Sequence, residues 1–186
     1  MDHLTRLLLA AQRGDVAALD RFVAETQGEV WNLCRFLGDA RDADDLAQET
    51  YERAIKSLPR YRAEGAARGW LLTIARRVCS DHVRRAQRRR RKDRAVLDAA
   101  HVDATFGPDT TIGVELDELL RHLDDDRRTA FVLTQLLGMY YDEAADVIGC
   151  PIGTVRSRVS RARLDLAAMT AEPEDDSTHL GPTGTN

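Results

Sequence analysis

Three stretches of this chain gather residue types able to bind a macromolecule or assist a reaction. The first is D-A-D-D-L-A-Q-E-T-Y-E-R-A, residues 42–54. Asp45, Gln48, Glu49 and Glu52 fall at i, i+3, i+4 and i+7, so a helix carries them in one stripe. Asp42 and Asp44 add negative charge at the helix start, where the dipole favours it. The stripe reads as a capped and solvated face, as a docking face for a basic partner, or, through Asp42, Asp44 and Asp45, as a divalent-metal cluster. Consecutive acids on a helix diverge and no His or Cys lies near, so metal is the weakest of the three.

The second stretch is W-L-L-T-I-A-R-R-V-C-S-D-H-V-R-R-A-Q-R-R-R-R-K, residues 70–92. Trp70, Ile74 and Val78 form an inner stripe, while Arg76, Arg77, Arg84, Arg85 and Arg88 point elsewhere. Residues 68–92 hold ten bases against one acid, Asp81. With so little to neutralise it, such a helix favours phosphate binding over plain solvation. Tyr61, in the loop before it, is placed either to stack on an unpaired base or to anchor the loop. His82 has no second histidine or nucleophile in sequence reach and reads as a helix-face residue. No catalytic constellation is visible.

The third stretch is Y-D-E-A-A-D-V-I-G-C-P-I-G-T-V-R-S-R-V-S-R-A-R, residues 141–163, which has the grammar of a helix-turn-helix. Ala144 and Ala145 are small where two helices cross. Gly149 suits a left-handed turn and Pro151 a helix start. Val155 and Val159 would pack the second helix on the first. Thr154, Arg156, Ser157, Arg158, Ser160 and Arg161 are left on the outer arc, where arginine forks suit guanine edges and phosphates. The plain alternative is a helical hairpin with a solvated arginine face.

Helical periodicity supplies the elements that position these residues, and no alternating strand pattern appears. Leu4, Leu7, Leu8 and Ala11 mark a first helix ended by Gly14. Val16, Leu19, Phe22, Val23, Val30, Leu33, Cys34 and Leu37 mark a second, to Gly38. A third starts near Asp42, turns Leu46, Tyr51, Ala54, Ile55 and Leu58 inward, and stops at Pro59. A fourth opens at Trp70 and runs into the arginine block. Residues 93–113 lose the pattern apart from one helical turn near Ala95–Ala100. Helix returns from Val114 in three segments to about Met169. The expectation is all-α: two small helical domains, 1–92 and 114–170, joined by a flexible linker, 93–113, with a disordered acidic and polar tail, 171–186.

Composition agrees with a globular, nucleic-acid-directed chain. The 186 residues are 43% hydrophobic with a net charge of -4, but residues 1–92 carry +6 and residues 93–186 carry -10. No apolar run approaches the ~18 residues of a membrane span, and the N-terminus does not read as an export signal. The expected location is therefore cytoplasmic. Cys34, Cys79 and Cys150 are odd in number and far apart, which argues against a disulfide scaffold or a cysteine zinc site. Burial of reduced thiols is expected.

In this order and spacing, D-A-D-D-L-A-Q-E-T-Y, the loop with W-L-L-T-I-A-R-R, D-H-V-R-R and the helix-turn-helix resemble the sigma-70 family. The match is to its extracytoplasmic-function subfamily, over about residues 3–92 and 114–168. The resemblance implies an alternative sigma factor: a non-enzymatic protein that binds core RNA polymerase, directs it to promoters and assists melting. It implies docking of Asp45, Leu46, Gln48 and Glu49 on the clamp helices of the largest subunit, with a further contact to the flap region. It implies capture of a flipped non-template base at the minus-ten element by the loop and fourth helix. Tyr61, Arg76, Arg77, Arg84, Arg85 and Arg88 are the candidates there. It implies duplex minus-thirty-five reading by the Thr154–Arg161 arc, chiefly Arg156, Ser157, Ser160 and Arg161. An anti-sigma factor is a common partner in the family. No cofactor and no metal are implied. Many relatives have I-A-R-N where this chain has I-A-R-R, so Arg77 replaces an Asn that helps shape the base pocket. The alternatives are a helix-turn-helix regulator acting without polymerase, a magnesium nuclease built on Asp42, Asp44 and Asp45, and a basic RNA-associated protein.

Overall fold

The computed structural model describes residues 1–96 and 111–170, with side chains described for 1–91 and 115–170. Residues 97–110, within the expected linker, and the expected tail 171–186 lie outside the described residues. Among the described residues every regular element is helical: α1 (His3–Gln12), α2 (Val16–Leu37), α3 (Ala43–Ser57), α4 (Ala67–Val96), α5 (Thr111–Arg121), α6 (Asp125–Phe131), α7 (Tyr141–Ile148) and α8 (Ile152–Thr170). Short 3-10 turns precede and follow α3, and a π-helical turn, Val132–Leu136, extends α6. Helix enters the expected linker from both ends, through Val96 and from Thr111.

Local chemistry sets the boundaries. Asp2 and Asp15 cap α1 and α2 by accepting from the amides of Thr5 (2.9 Å) and Ala18 (3.0 Å). Gly38 ends α2 where a side chain has no room: an added Cβ would run into the Leu46 side chain of α3 and lie 2.7 Å from the Cys34 carbonyl oxygen of α2 itself. Pro59 closes α3. The Thr5 hydroxyl accepts from the Ala67 amide at 3.0 Å, tying α1 to the first residue of α4.

Helices α1–α4 bury Leu8, Phe22, Val30, Leu33, Leu71, Leu72 and Val78; α5–α8 bury Leu120, Val132, Leu133, Val147 and Val155. Three inward expectations need correction. Ile55 is 47% exposed, because it lies one residue, about 100° of helix, past buried Ala54, and Val16 stands in solvent as the first residue of α2. On α4 the deepest stripe is Leu71, Ala75, Val78 and Cys79, with Trp70 and Ile74 only half-buried at its edge. The two helical groups also touch: α4 packs on α7, and α2 on the Val132–Leu136 turn and α6.

Candidate protein and nucleic-acid interfaces

On α3 the acidic stripe faces outward. Asp45 and Gln48 are exposed and Glu49 is half-buried. Leu46 is not part of that face: it is buried between α2 and α3 and supports the stripe from beneath. Beside the stripe runs a shallow groove of about 460 Å³ between α2 and α3, lined by Gln27, Trp31, Asp44, Ala47, Gln48 and Tyr51. The Trp31 indole N–H donates to Asp44 Oδ1 at 2.8 Å. Asp42 instead pairs with His82 on α4 at 3.0 Å, and Asp45 faces solvent. The three aspartates therefore serve separate directions and do not converge. Glu49 pairs with Arg53 (2.5 Å) and Arg85 (3.6 Å), and Arg53 also reaches Asp81 at 3.0 Å. Arg53 joins α3 to α4, a role invisible in sequence because Asp81 lies 28 residues away.

The loop between α3 and α4 is folded around Tyr61. Its phenol donates to the Gly65 carbonyl at 3.1 Å, and its ring centroid lies 5.0 Å from that of Trp70. Tyr61 is buried, which pushes its phenol above the usual range, and in this structure the ring anchors the loop. Gln12 braces the same loop by donating to the Leu58 and Tyr61 carbonyls at 2.9 and 2.8 Å.

Along α4, Arg77, Arg84, Arg85 and Arg88 are exposed, as are Arg89–Arg91. Arg76 departs from them. It is half-buried, and its Nε donates to the Val147 carbonyl at 3.1 Å. Burial, reinforced by the like charge of Arg77, lowers its pKa. Arg68, which sequence reasoning passed over, forks onto Glu29 at 2.9 and 3.1 Å and donates to the Leu137 carbonyl at 2.6 Å. Its hydrogen bonds to the Glu29 carboxylate raise its pKa.

The hairpin α7–α8 matches the expected geometry. Gly149 takes φ +80° and its N–H donates to the Ala145 carbonyl at 2.8 Å. Ala144, Val155 and Val159 are fully buried where the helices cross. Arg156, Ser157, Ser160 and Arg161 stand exposed on one arc, with Thr154 half-buried at its edge. Arg158 is corrected: it folds back onto Asp126 at the start of α6 and lies 3.6 Å from Cys150 Sγ, so it braces the hairpin.

This combination has close counterparts among known proteins. Residues 22–89 match sigma-70 region 2 and residues 113–166 match sigma-70 region 4. The chain is 44% identical over 178 residues to the ECF RNA polymerase sigma factor SigC of Mycobacterium tuberculosis, covering 94% of each. The chain belongs to the extracytoplasmic-function branch of the sigma-70 family. It is also 33% identical to the RNA polymerase sigma-H factor of Pseudomonas aeruginosa, over 85% of this chain and 89% of that one. Among solved structures, the sigma factor RpoE in complex with the anti-sigma factor NepR from Bartonella quintana superposes with a TM-score of 0.70 at 27% identity, covering 83% of this chain and 97% of that chain.

The protein is therefore an alternative sigma factor, a non-enzymatic initiation factor that binds core RNA polymerase and promoter DNA. A regulator independent of polymerase is not favoured. Among the described residues no helix is long and apolar enough to cross a membrane.

Proposed function

We propose that the three surfaces divide the sigma factor's work. The α3 stripe, Asp45, Gln48 and Glu49 seated on buried Leu46, docks on basic clamp helices of the polymerase's largest subunit. The Tyr61-anchored loop and the exposed arginines of α4 take the minus-ten element. Arg77, Arg84, Arg85 and Arg88 contact the phosphates of the opened non-template strand, and Arg77 does so in place of the pocket-shaping Asn of many relatives. The α8 arc, Arg156, Ser157, Ser160 and Arg161, reads the minus-thirty-five element in the major groove. The division assigns polymerase and minus-ten work to residues 1–92 and duplex reading to 114–170, in the cytoplasm. The α2–α3 groove beside the stripe is the surface an anti-sigma factor would cover.

The observation that carries this reading is the α3 face. Four residues of one helix separate cleanly into an exposed polar stripe and a buried support, and Glu49's pairs with Arg53 and Arg85 are surface pairs of about 0–1 kcal/mol, cheap to exchange for a partner's cations. The test is a fluorescence-anisotropy titration of the labelled chain with core RNA polymerase at ~0.15 M salt, where screening suppresses casual charge pairing. Asp45→Lys is the informative variant, because Asp45 is exposed and its loss leaves the fold intact. Saturable binding by the parent, weakened at least tenfold in the variant, supports the docking face; equal affinities overturn it.

A further inference from the structure

We propose that Leu164 of α8 is a specificity-determining residue, which reads the 5-methyl group of a thymine at the far edge of the minus-thirty-five element. This rests on the reading of the α8 arc as the duplex-reading surface. Helical register places the residue. Val155, Val159 and Ala162 are fully buried and Leu166 is half-buried, so they mark the inward line of α8. Opposite that line, Gly153, Ser157, Ser160 and Leu164 fall at i, i+4, i+7 and i+11 and form one exposed stripe. Arg156 and Arg161 lie about 70° to either side of it. Leu164 therefore carries the centre line of the arc one turn beyond Ser160, and it is 68% exposed.

Both sequence neighbours of Leu164 are tied back to their own domain. Arg163 donates to Gln135 Oε1 at 2.5 Å, and Arg127 pairs with Asp165 at 2.6 Å. The two ties fix the rotation of this turn and hold both charges off the outer face, which leaves it an apolar tip. In the major groove the thymine methyl is the one apolar group that a base edge presents. An isobutyl side chain has no donor or acceptor, so against any other edge it leaves polar atoms unpaired. Against thymine it takes a methyl group and its own tip out of water. Single exposed leucines are ordinary on protein surfaces. Leu164 differs in standing in line with the two serines of the reading face.

The stripe also lengthens along the helix, from no side chain at Gly153, through the hydroxymethyl groups of Ser157 and Ser160, to the four carbons of Leu164. An added Cβ at Gly153 would meet nothing within 4 Å, so the fold does not itself demand glycine there. The bare first turn lets the start of α8 come close to the duplex. The longer Leu164 bridges the gap that opens where a straight helix leaves a curved groove. Gly153 and Leu164 are about 16 Å apart along the helix, the length of some five base steps. Leu164 thus addresses a base pair at the opposite end of the site from the helix start.

The experiment uses the full chain assembled with core RNA polymerase and promoter-length duplexes randomised over about eight base pairs at the minus-thirty-five element. Bound duplexes are sequenced for the parent and for Leu164→Ala, whose melting temperature is expected to match the parent's because the side chain is exposed. The parent pool is expected to carry a thymine at one position, next to the pair relaxed by Arg161→Ala, and the variant is expected to lose that thymine alone. Deoxyuridine at that position removes only the methyl group. It is expected to weaken parent binding about threefold to fivefold, the worth of one methyl leaving water, and to leave Leu164→Ala unchanged. Leu164→Met is expected to keep the response. The same pool from parent and Leu164→Ala, or equal parent affinity for thymine and uracil, overturns the proposal. So does a Leu164→Ala variant that selects the parent's sequence but assembles less well with core polymerase, because Leu164 then serves a protein contact. The underlying reading fails separately: a pool left unchanged by Arg156→Ala together with Arg161→Ala refutes α8 as the duplex reader, whatever Leu164 does.

Discussion

At the scale of single residues, the functional arc of α8 rests on which arginines are free. Arg156 and Arg161 are exposed, whereas Arg158 is spent on Asp126. Arg161→Ala is expected to cost about 1–3 kcal/mol of promoter affinity and to relax preference at one upstream base position, measured by competition with single-base variants. Arg158→Ala is expected instead to lower the melting temperature while leaving base preference unchanged. Tyr61→Phe removes one hydrogen bond, worth about 0.5–1.5 kcal/mol, and is expected to keep promoter melting; Tyr61→Ala empties the loop's centre and is expected to lose open-complex formation in a permanganate footprint. The residue types were legible, but their facing was legible only to within one position. Leu46 and Ile55 are both apolar residues of α3, yet one is buried and the other exposed, since a single step turns the helix by about 100°. The pairing of Arg158 was not legible from sequence, which set it on the outer arc, because its partner is 32 residues away.

At the scale of elements, Gly, Pro and Asp announced most boundaries, because each acts on its own backbone. Gly14, Gly38, Pro59 and Gly149 stand where helices end or turn. The π-helical turn left no trace, since five-residue spacing arises from packing of Val132 and Leu133 and not from a signature residue. The cap at Asp2 yields a pH prediction. Burial pushes its carboxyl upward, but the Thr5 hydroxyl and amide more than offset this and hold it below the usual carboxylate range. With a depressed folded pKa, its contribution is complete above the ordinary carboxylate pKa and fades as pH falls through the lowered one. Asp2→Asn, which keeps an acceptor without the charge, is therefore expected to melt below the parent at neutral pH and to converge with it in acid.

At the scale of the whole molecule, the two-domain plan was readable from the motifs and from the +6 and -10 split of charge. The relation between the domains was not. Arg35 and Asp117 lie 82 residues apart, and neither shows a local pattern announcing the other. Charge also sets the salt response of the assembled complex. If about six bases of α4 neutralise phosphates, the logarithm of strand affinity falls with the logarithm of salt at a slope of roughly -4. A slope near -1 would mean that the arginine run is solvated and not in contact.

The placement of the indoles gives the molecule its own optical readout. The chain has two tryptophans. Trp31 lines the α2–α3 groove with the Arg35 guanidinium 5.7 Å over its ring, and Trp70 stands against Tyr61 in the loop. A partner seating in the groove changes the field and hydration around Trp31, while a strand seating on the loop changes the surroundings of Trp70. Trp31→Phe and Trp70→Phe thus leave two single-emitter proteins. One would report partner docking and the other loop exposure, in real time and without an attached dye, so the order of the two events becomes a stopped-flow measurement.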